Sequence, residues 1–149
     1  MTHKSIEDLT RHLDTVMSRE TEPSIVLDME GEELGCHNGR LSIIQLGVDR
    51  TTYLVDIVRF PATVSMLKKY LESLCLSKYM WDGRRDYSEL RHGHGLTMKG
   101  LADLQLVYVH TTNPSSNVYH LTSMIDAAES LNALPGKHLS TIRAGNSLL

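Results

Sequence analysis

The chain reads as an α/β protein built on a five-stranded mixed sheet with helices on both faces. The order of its periodic segments is the main reason: helix, three strands in succession, helix, strand, helix, strand, helix. Length is the second. At 149 residues the chain makes one domain, and a core of that size removes roughly 68–70% of the unfolded surface from water without staples. Composition is the third: 41% hydrophobic and 22% charged residues are ordinary for a soluble globular chain and disfavour disorder.

Ile6, Leu9, Leu13, Val16 and Met17 share one face at helical spacing, which predicts a helix over 5–19, with Ser5 and Asp8 as a capping pair. Residues 25–30 (Ile-Val-Leu-Asp-Met-Glu) predict a strand covered on both faces, since the run is apolar until its acids. Strands follow over 40–47 and 52–57, joined by a hairpin-like loop at Asp49-Arg50. Phe60-Pro61 opens a helix with Val64, Leu67, Leu71 and Leu74 as its stripe. A short fourth strand is expected over 78–81. Asp82-Gly83 then turns into a helix through Asp86 and Leu90 that ends at His92-Gly93-His94-Gly95. A fifth strand is expected over 98–102, helices over 103–110 and 121–131, a loop over 111–117, a stop at Pro135-Gly136 and a tail without period from 138. Met66, Met80 and Met124 read as core fillers, and Trp81 as core closing its strand.

Several function classes are excluded. No GxGxxG follows the first strand, which removes a nicotinamide-type fold. No apolar run approaches the ~20 residues of a membrane span. The polar, acidic start MTHKSIEDLT is neither a secretory signal nor an Arg-rich transit peptide, so an intracellular location, cytoplasmic or nuclear, is expected. Cys36 and Cys75 match no CxxC pattern and read as small buried thiols. Net charge is −3, against a purely electrostatic nucleic-acid binder. Residues 1–35 carry nine acids against three bases, a net of −6, and residues 36–149 carry nine against twelve, a net of +3. A polyanion therefore meets the later part of the chain, or meets the acids through a metal.

Three features carry chemistry. Asp28 and Glu30 close the first strand and alternate onto one face, about 7 Å apart at the backbone. Carboxylates that close repel unless a cation lies between them, and such hard oxygens suit Mg²⁺ or Mn²⁺. Asp86 opens the helix after Trp81-Asp82-Gly83, where a carboxylate also favours the helix N-terminus. Asp103 reads as the N-cap of the helix after it. Arg84, Arg85, Arg91 and Lys99 form a basic set suited to phosphates, or simply a solvated face. His92 and His94 read as exposed helix-end histidines.

Five pieces follow in order: Asp28-x-Glu30, Leu41-Ser42-Ile43-Ile44-Gln45-Leu46, Tyr53-Leu54-Val55-Asp56, Trp81-Asp82-Gly83-Arg84-x-Asp86-x-x-x-Leu90, and Asp103-Leu104-Gln105. Together they resemble the DEDD-type 3′–5′ exonuclease domain, in the branch of ribonuclease D, the Werner-type exonuclease and Egalitarian-like proteins. The resemblance covers residues 6–135, most clearly 6–110, and leaves 136–149 as an irregular tail.

The resemblance implies a ribonuclease-H-like fold and four carboxylates around two divalent metal ions, Mg²⁺ or Mn²⁺. Asp28 corresponds to the bridging ligand. Glu30 corresponds to the ligand of the first metal that also touches the terminal 3′-hydroxyl, and Asp86 to the ligand of the second. The implied partner is nucleic acid, RNA or DNA, with a free 3′ end, and the product is a nucleoside 5′-monophosphate. The family's fourth carboxylate lies in a Tyr-x-x-x-Asp or His-x-x-x-Asp motif, and no Tyr or His here is followed four residues later by Asp. Asp126, with Thr122 four before it, is the one candidate substitute. The chain is therefore expected to be a truncated or degenerate member with weak or no activity. The alternative is a catalytically silent RNA-binding or protein-docking scaffold with the same fold.

Overall fold

A computed structural model describes residues 3–19, 21–114 and 120–133. The elements are α1 (His3–Met17), β1 (Ser24–Glu32), β2 (Arg40–Val48), β3 (Thr51–Asp56), α2 (Thr63–Leu71), β4 (Ser77–Met80), α3 (Arg84–Gly93), β5 (Leu101–Asp103), α4 (Leu104–Thr112) and α5 (Met124–Ser130). The chain divides into two compact units, Met1–Leu104 and Gln105–Leu149.

The first unit holds a five-stranded sheet in the order β3-β2-β1-β4-β5. β1–β2 and β2–β3 are antiparallel, and β1–β4 and β4–β5 are parallel, so the expected mixed sheet is present. Its halves differ for a covalent reason. Asp49-Arg50 is a two-residue link, long enough only for an antiparallel hairpin, and Asp49 takes the left-handed conformation (φ 53°) that this turn demands. The parallel pairs need long crossovers, which run through α2 and α3.

The core is assembled from the predicted stripes. Ile6, Leu9, Leu13 and Val16 of α1 are buried, as are Val64, Leu67 and Leu71 of α2, and they meet Ile25, Leu27, Met29, Ile44, Leu46, Val55 and Met80 of the sheet. Leu74 lies past the end of α2 and is exposed. Tyr70 is fully buried instead, and its hydroxyl lies 2.9 Å from Asp14 Oδ1. Lys69 Nζ, 2.8 Å from the same oxygen, ties α2 to α1 a second time.

Several expectations are corrected. β1 is buried on one face only: Ile25, Leu27 and Met29 point inward, whereas Val26, Asp28 and Glu30 are exposed. Its outward side carries the charges of Asp28, Glu30 and Glu32, and burying unpaired carboxylates is costly. Cys36 and Cys75 are exposed, because each lies in a turn rather than in a packed element. Met66 and Met124 are also exposed, and of the three methionines only Met80 fills the core. Trp81 lies just outside β4 and is half-buried. Helix α1 begins two residues before Ser5, which therefore sits within the first turn. β5 is three residues long, while Met98 packs into the core ahead of it.

In the second unit α4 and α5 bury Val109 and Ala127. Gln105 Nε2 donates to the Thr122 carbonyl at 3.0 Å. Ser123 caps α5: it accepts the Asp126 N–H at 3.2 Å and donates its hydroxyl to Asp126 Oδ2 at 2.7 Å. The expected stop at Pro135-Gly136, most of the loop after residue 114 and the tail lie outside the described residues. Among the described residues no helix is long and apolar enough to cross a membrane.

Candidate active site

Strand alternation puts Asp28 and Glu30 side by side on the open face of β1. Asp28 is paired in register with Gln45 of β2, and Glu30 with Ile43. The register shifts between Glu30 and Gly31, a bulge of the kind that re-aims neighbouring side chains. Glycine is required there: a Cβ on Gly31 would lie 2.1 Å from the Arg40 carbonyl oxygen. Gln45 reaches back across the sheet. Its Nε2 donates to Asp28 Oδ2 at 3.2 Å and, more weakly, to Glu30 Oε1 at 3.5 Å.

The third carboxylate arrives from α3. After β4 the chain turns at Asp82, in the left-handed conformation (φ 56°), and enters α3 through Gly83. This turn is held by Asp103, at the end of β5, whose carboxylate accepts the Asp82 and Gly83 N–H groups, each at 3.1 Å. Asp86 then falls in the first turn of α3 and is buried. Burial, and after it the negative charges of Asp28, Glu30, Asp82 and Asp103, push its carboxyl up to about 7. Asp28, Glu30 and Asp86, read from the sequence as one site, thus share one electrostatic field.

The donor chemistry fits a hard divalent cation. The three side chains offer only oxygen, and Asp86 is raised by its burial and then by the negative charge of its neighbours. As the side chains stand, the described residues include no group of three or more His, Cys, Asp or Glu gathered closely enough to hold an ion. Asp28 and Glu30 stand on the open face of β1, while Asp86 is buried at the start of α3.

The basic residues are exposed but not equivalent. Arg84 folds back onto Asp82, Nε and Nη2 lying 2.7 and 2.6 Å from Oδ1. Arg91 donates to the Thr97 hydroxyl. Arg85 and Lys99 make no ion pair with a carboxylate among the described residues. His92 and His94 are exposed at the end of α3 as expected. Asp126 is engaged in the α5 cap, within the second unit.

Three residues carry more than sequence reasoning assigned them. Gln45 was a letter in a strand motif, and its contact with the carboxylates depends on register. Asp103, expected at the cap of the following helix, supports the turn into α3. Glu89 is buried; its Oε2 accepts the Gly35 N–H at 3.0 Å, and it lines a cavity of about 140 Å³ with Cys36, His37 and His92. That cavity is separate from the three carboxylates. The sequence signal for Glu89 was its helical position three residues after Asp86.

Comparison with known proteins agrees with this fold. The family model described as 3′–5′ exonuclease matches residues 4–134. Trypanosoma brucei RNase D, solved in complex with RNA, is similar at 23% identity and a TM-score of 0.76, over 89% of this chain and 45% of that one. Escherichia coli RNase D, described as an exoribonuclease involved in structured RNA processing, is similar at 21% identity and a TM-score of 0.66, over 89% of this chain and 32% of that one. The Aedes aegypti Nibbler exonuclease domain is similar at 15% identity and a TM-score of 0.62, over 83% and 62%. The chain thus spans about half or less of the length of the RNase D structures it matches. No curated protein shows significant sequence similarity to it. The structural likenesses establish the fold as that of the ribonuclease-H-like exonuclease domains.

Proposed function

Because the chain belongs to the 3′–5′ exonuclease domain family, we propose that it holds the free 3′ end of a nucleic acid, RNA in the first instance, against Asp28, Glu30 and Asp86. There it hydrolyses the terminal phosphodiester bond with Mg²⁺ or Mn²⁺ bound. RNA is favoured because the similar RNase D structure carries it. The observation that supports this reading is Asp86: a carboxyl from α3, raised to about 7 beside Asp28 and Glu30 of β1.

Divalent ions, when bound, activate a water and stabilise the leaving 3′ oxygen. The protein's own contribution starts from the sheet. Asp28 and Glu30 supply fixed oxygens from a strand, and Asp86 supplies a third from a helix tied down by Asp103. Asp86 holds its proton near neutral pH in the metal-free site and must release it to bind a cation, so metal affinity rises with pH. Arg85, exposed in the first turn of α3 next to Asp86, would meet backbone phosphates, whereas Lys99, whose N–H bonds to the Leu71 carbonyl ahead of β5, lies at the end of β4 away from that turn.

These 149 residues turn substrate over slowly on this reading. Two divalent ions bring +4, and three carboxylates return only −3. No Tyr or His precedes an Asp by four positions to orient the attacking water. The experiment is incubation of the chain with single-stranded RNA bearing a free 3′ end in Mn²⁺, beside Asp28→Asn, with melting temperatures taken in parallel. Mn²⁺ raises the wild-type melting temperature but not that of Asp28→Asn, and 3′–5′ laddering is slow. An equal rise in both chains overturns the site. Fast laddering that Asp28→Asn lacks overturns the weak-activity expectation. RNA binding indifferent to Mg²⁺, with no metal response, points instead to the silent scaffold.

A further inference from the structure

We infer that Gln45 is a positioning residue for the metal-bearing pair: its side-chain amide holds Asp28 and Glu30 with one oxygen of each turned toward β2 and the other free for a cation. This rests on the proposed function, since it concerns how that site is organised before an ion arrives.

The register makes the contact. Asp28 and Gln45 are directly paired across the antiparallel β1–β2 ladder, so their side chains share a face and lie within reach. A single nitrogen, Gln45 Nε2, serves two carboxylates: Asp28 Oδ2 at 3.2 Å and Glu30 Oε1 at 3.5 Å. Among the described residues no other hydrogen bond reaches either carboxylate. Asp28 Oδ1 and Glu30 Oε2 are therefore the uncommitted oxygens. Two exposed carboxylates with no shared donor would swing apart under mutual repulsion, and the entropy of bringing them back would be charged to metal binding.

The residue type suits the task. A lysine or arginine at position 45 would bridge the acids more strongly, but it would occupy the place of the cation and neutralise the charge that attracts it. A leucine or methionine would leave both carboxylates undirected. An amide donates hydrogen bonds without carrying charge. It orders the two ligands without adding positive charge to the site. Partners that orient metal ligands in this way typically account for 10–100-fold in metal affinity.

The test uses the full chain and four readouts that separate this inference from the functional reading beneath it. Mn²⁺ affinity is measured by titration calorimetry for wild type, Gln45→Met, Gln45→Asn and Asp28→Asn, with the melting temperature of each metal-free chain. Gln45→Met binds Mn²⁺ about tenfold or more weakly, while its metal-free melting temperature is little changed, because the contact lies on an open face. Gln45→Asn, whose amide is withdrawn by one methylene, falls between the two. In wild type the Gln45 side-chain NH₂ signals shift during a titration with diamagnetic Mg²⁺, in step with the calorimetric binding curve. If wild type binds Mn²⁺ and Asp28→Asn does not, but Gln45→Met binds like wild type, the positioning role is wrong and the metal site stands. If Gln45→Met does not fold, NH₂ signals that stay fixed through Mg²⁺ saturation overturn the role in the intact protein. If wild type itself binds neither ion, or Asp28→Asn binds as tightly, the functional reading fails and the inference fails with it.

Discussion

The Asp103 carboxylate accepts the backbone N–H of Gly83 at 3.1 Å, so the last residue of β5 holds the first turn of α3 and, through it, the height of Asp86 above the sheet. A second bond, from the Asp82 N–H at 3.1 Å, makes the support two-pronged. A side chain with no place in the carboxylate trio therefore governs where its third member stands.

Replacing Asp103 with alanine should show this. Two backbone donors lose a charged acceptor, a cost of about 1–3 kcal/mol. Denaturant unfolding of Asp103→Ala is expected to show that loss, together with a weaker Mn²⁺-induced rise in melting temperature. Asp103→Asn keeps one acceptor oxygen and should fall between. A variant as stable and as metal-responsive as wild type would mean that α3 is held by other contacts.

The Asp86 carboxyl gives the metal-free protein a pH signature. Burial, and then the carboxylates around it, push it up to about 7 in the folded chain, from 3.8 for an ordinary aspartate. Between those values the native state holds a proton that the unfolded state has lost. Stability from this group is thus complete below about pH 4 and disappears as pH climbs through 7. In chelator, Asp86→Asn should match wild type in stability below about pH 4 and exceed it at pH 8, by a margin on the order of 1–4 kcal/mol. Melting curves whose difference does not change with pH would refute the assignment.

At the opposite end of the sheet, Arg19 and His12 both grip Asp49, the guanidinium in two bonds of 2.7 and 2.6 Å and the imidazole in one of 2.9 Å. The Arg19 bonds, and after them the His12 bond, hold the Asp49 carboxyl well below the usual carboxylate range. Such a group stabilises the fold above its unfolded value and ceases to as pH falls through the folded one. Because the cluster is at the surface, the effect is small and screened by salt. Arg19→Gln should flatten the acid limb of the melting-temperature profile at low ionic strength and match wild type in high salt.

Arg84 spends its charge on Asp82, whereas Arg85 is not so committed. RNA affinity should accordingly fall more for Arg85→Ala than for Arg84→Ala. For a single phosphate contact to a single strand, the slope of log affinity against log salt should drop by about 0.7. Equal losses from both variants, measured by fluorescence anisotropy across a salt series, would show that the Arg84 pair opens on binding.

The mixed sheet, the stripes of α1 and α2 and the pairing of Asp28 with Glu30 follow from periodicities and link lengths confined to a few neighbouring residues. Ile6, Leu9, Leu13 and Val16 must share a face wherever the helix lies, and Asp28 and Glu30 must share a side wherever the strand lies. Local pattern is enough because the geometry repeats along the chain. Whether an element is covered on one face or two is not local. Ile25-Val26-Leu27 reads as buried throughout, yet Val26 is 55% exposed, because what packs above a strand is set by distant segments. Cys36, Cys75 and Met66 were misplaced for the same reason: apolar character favours burial, but a turn, or the outer side of a helix, keeps them in water. The partners of the carboxylates depend on folding too. Gln45 meets Asp28 across seventeen residues only in one strand register, and Asp103 meets Gly83 across twenty only once β4 and β5 run parallel. A one-residue slip of β2 would turn Gln45 to the other face and leave both acids without their donor.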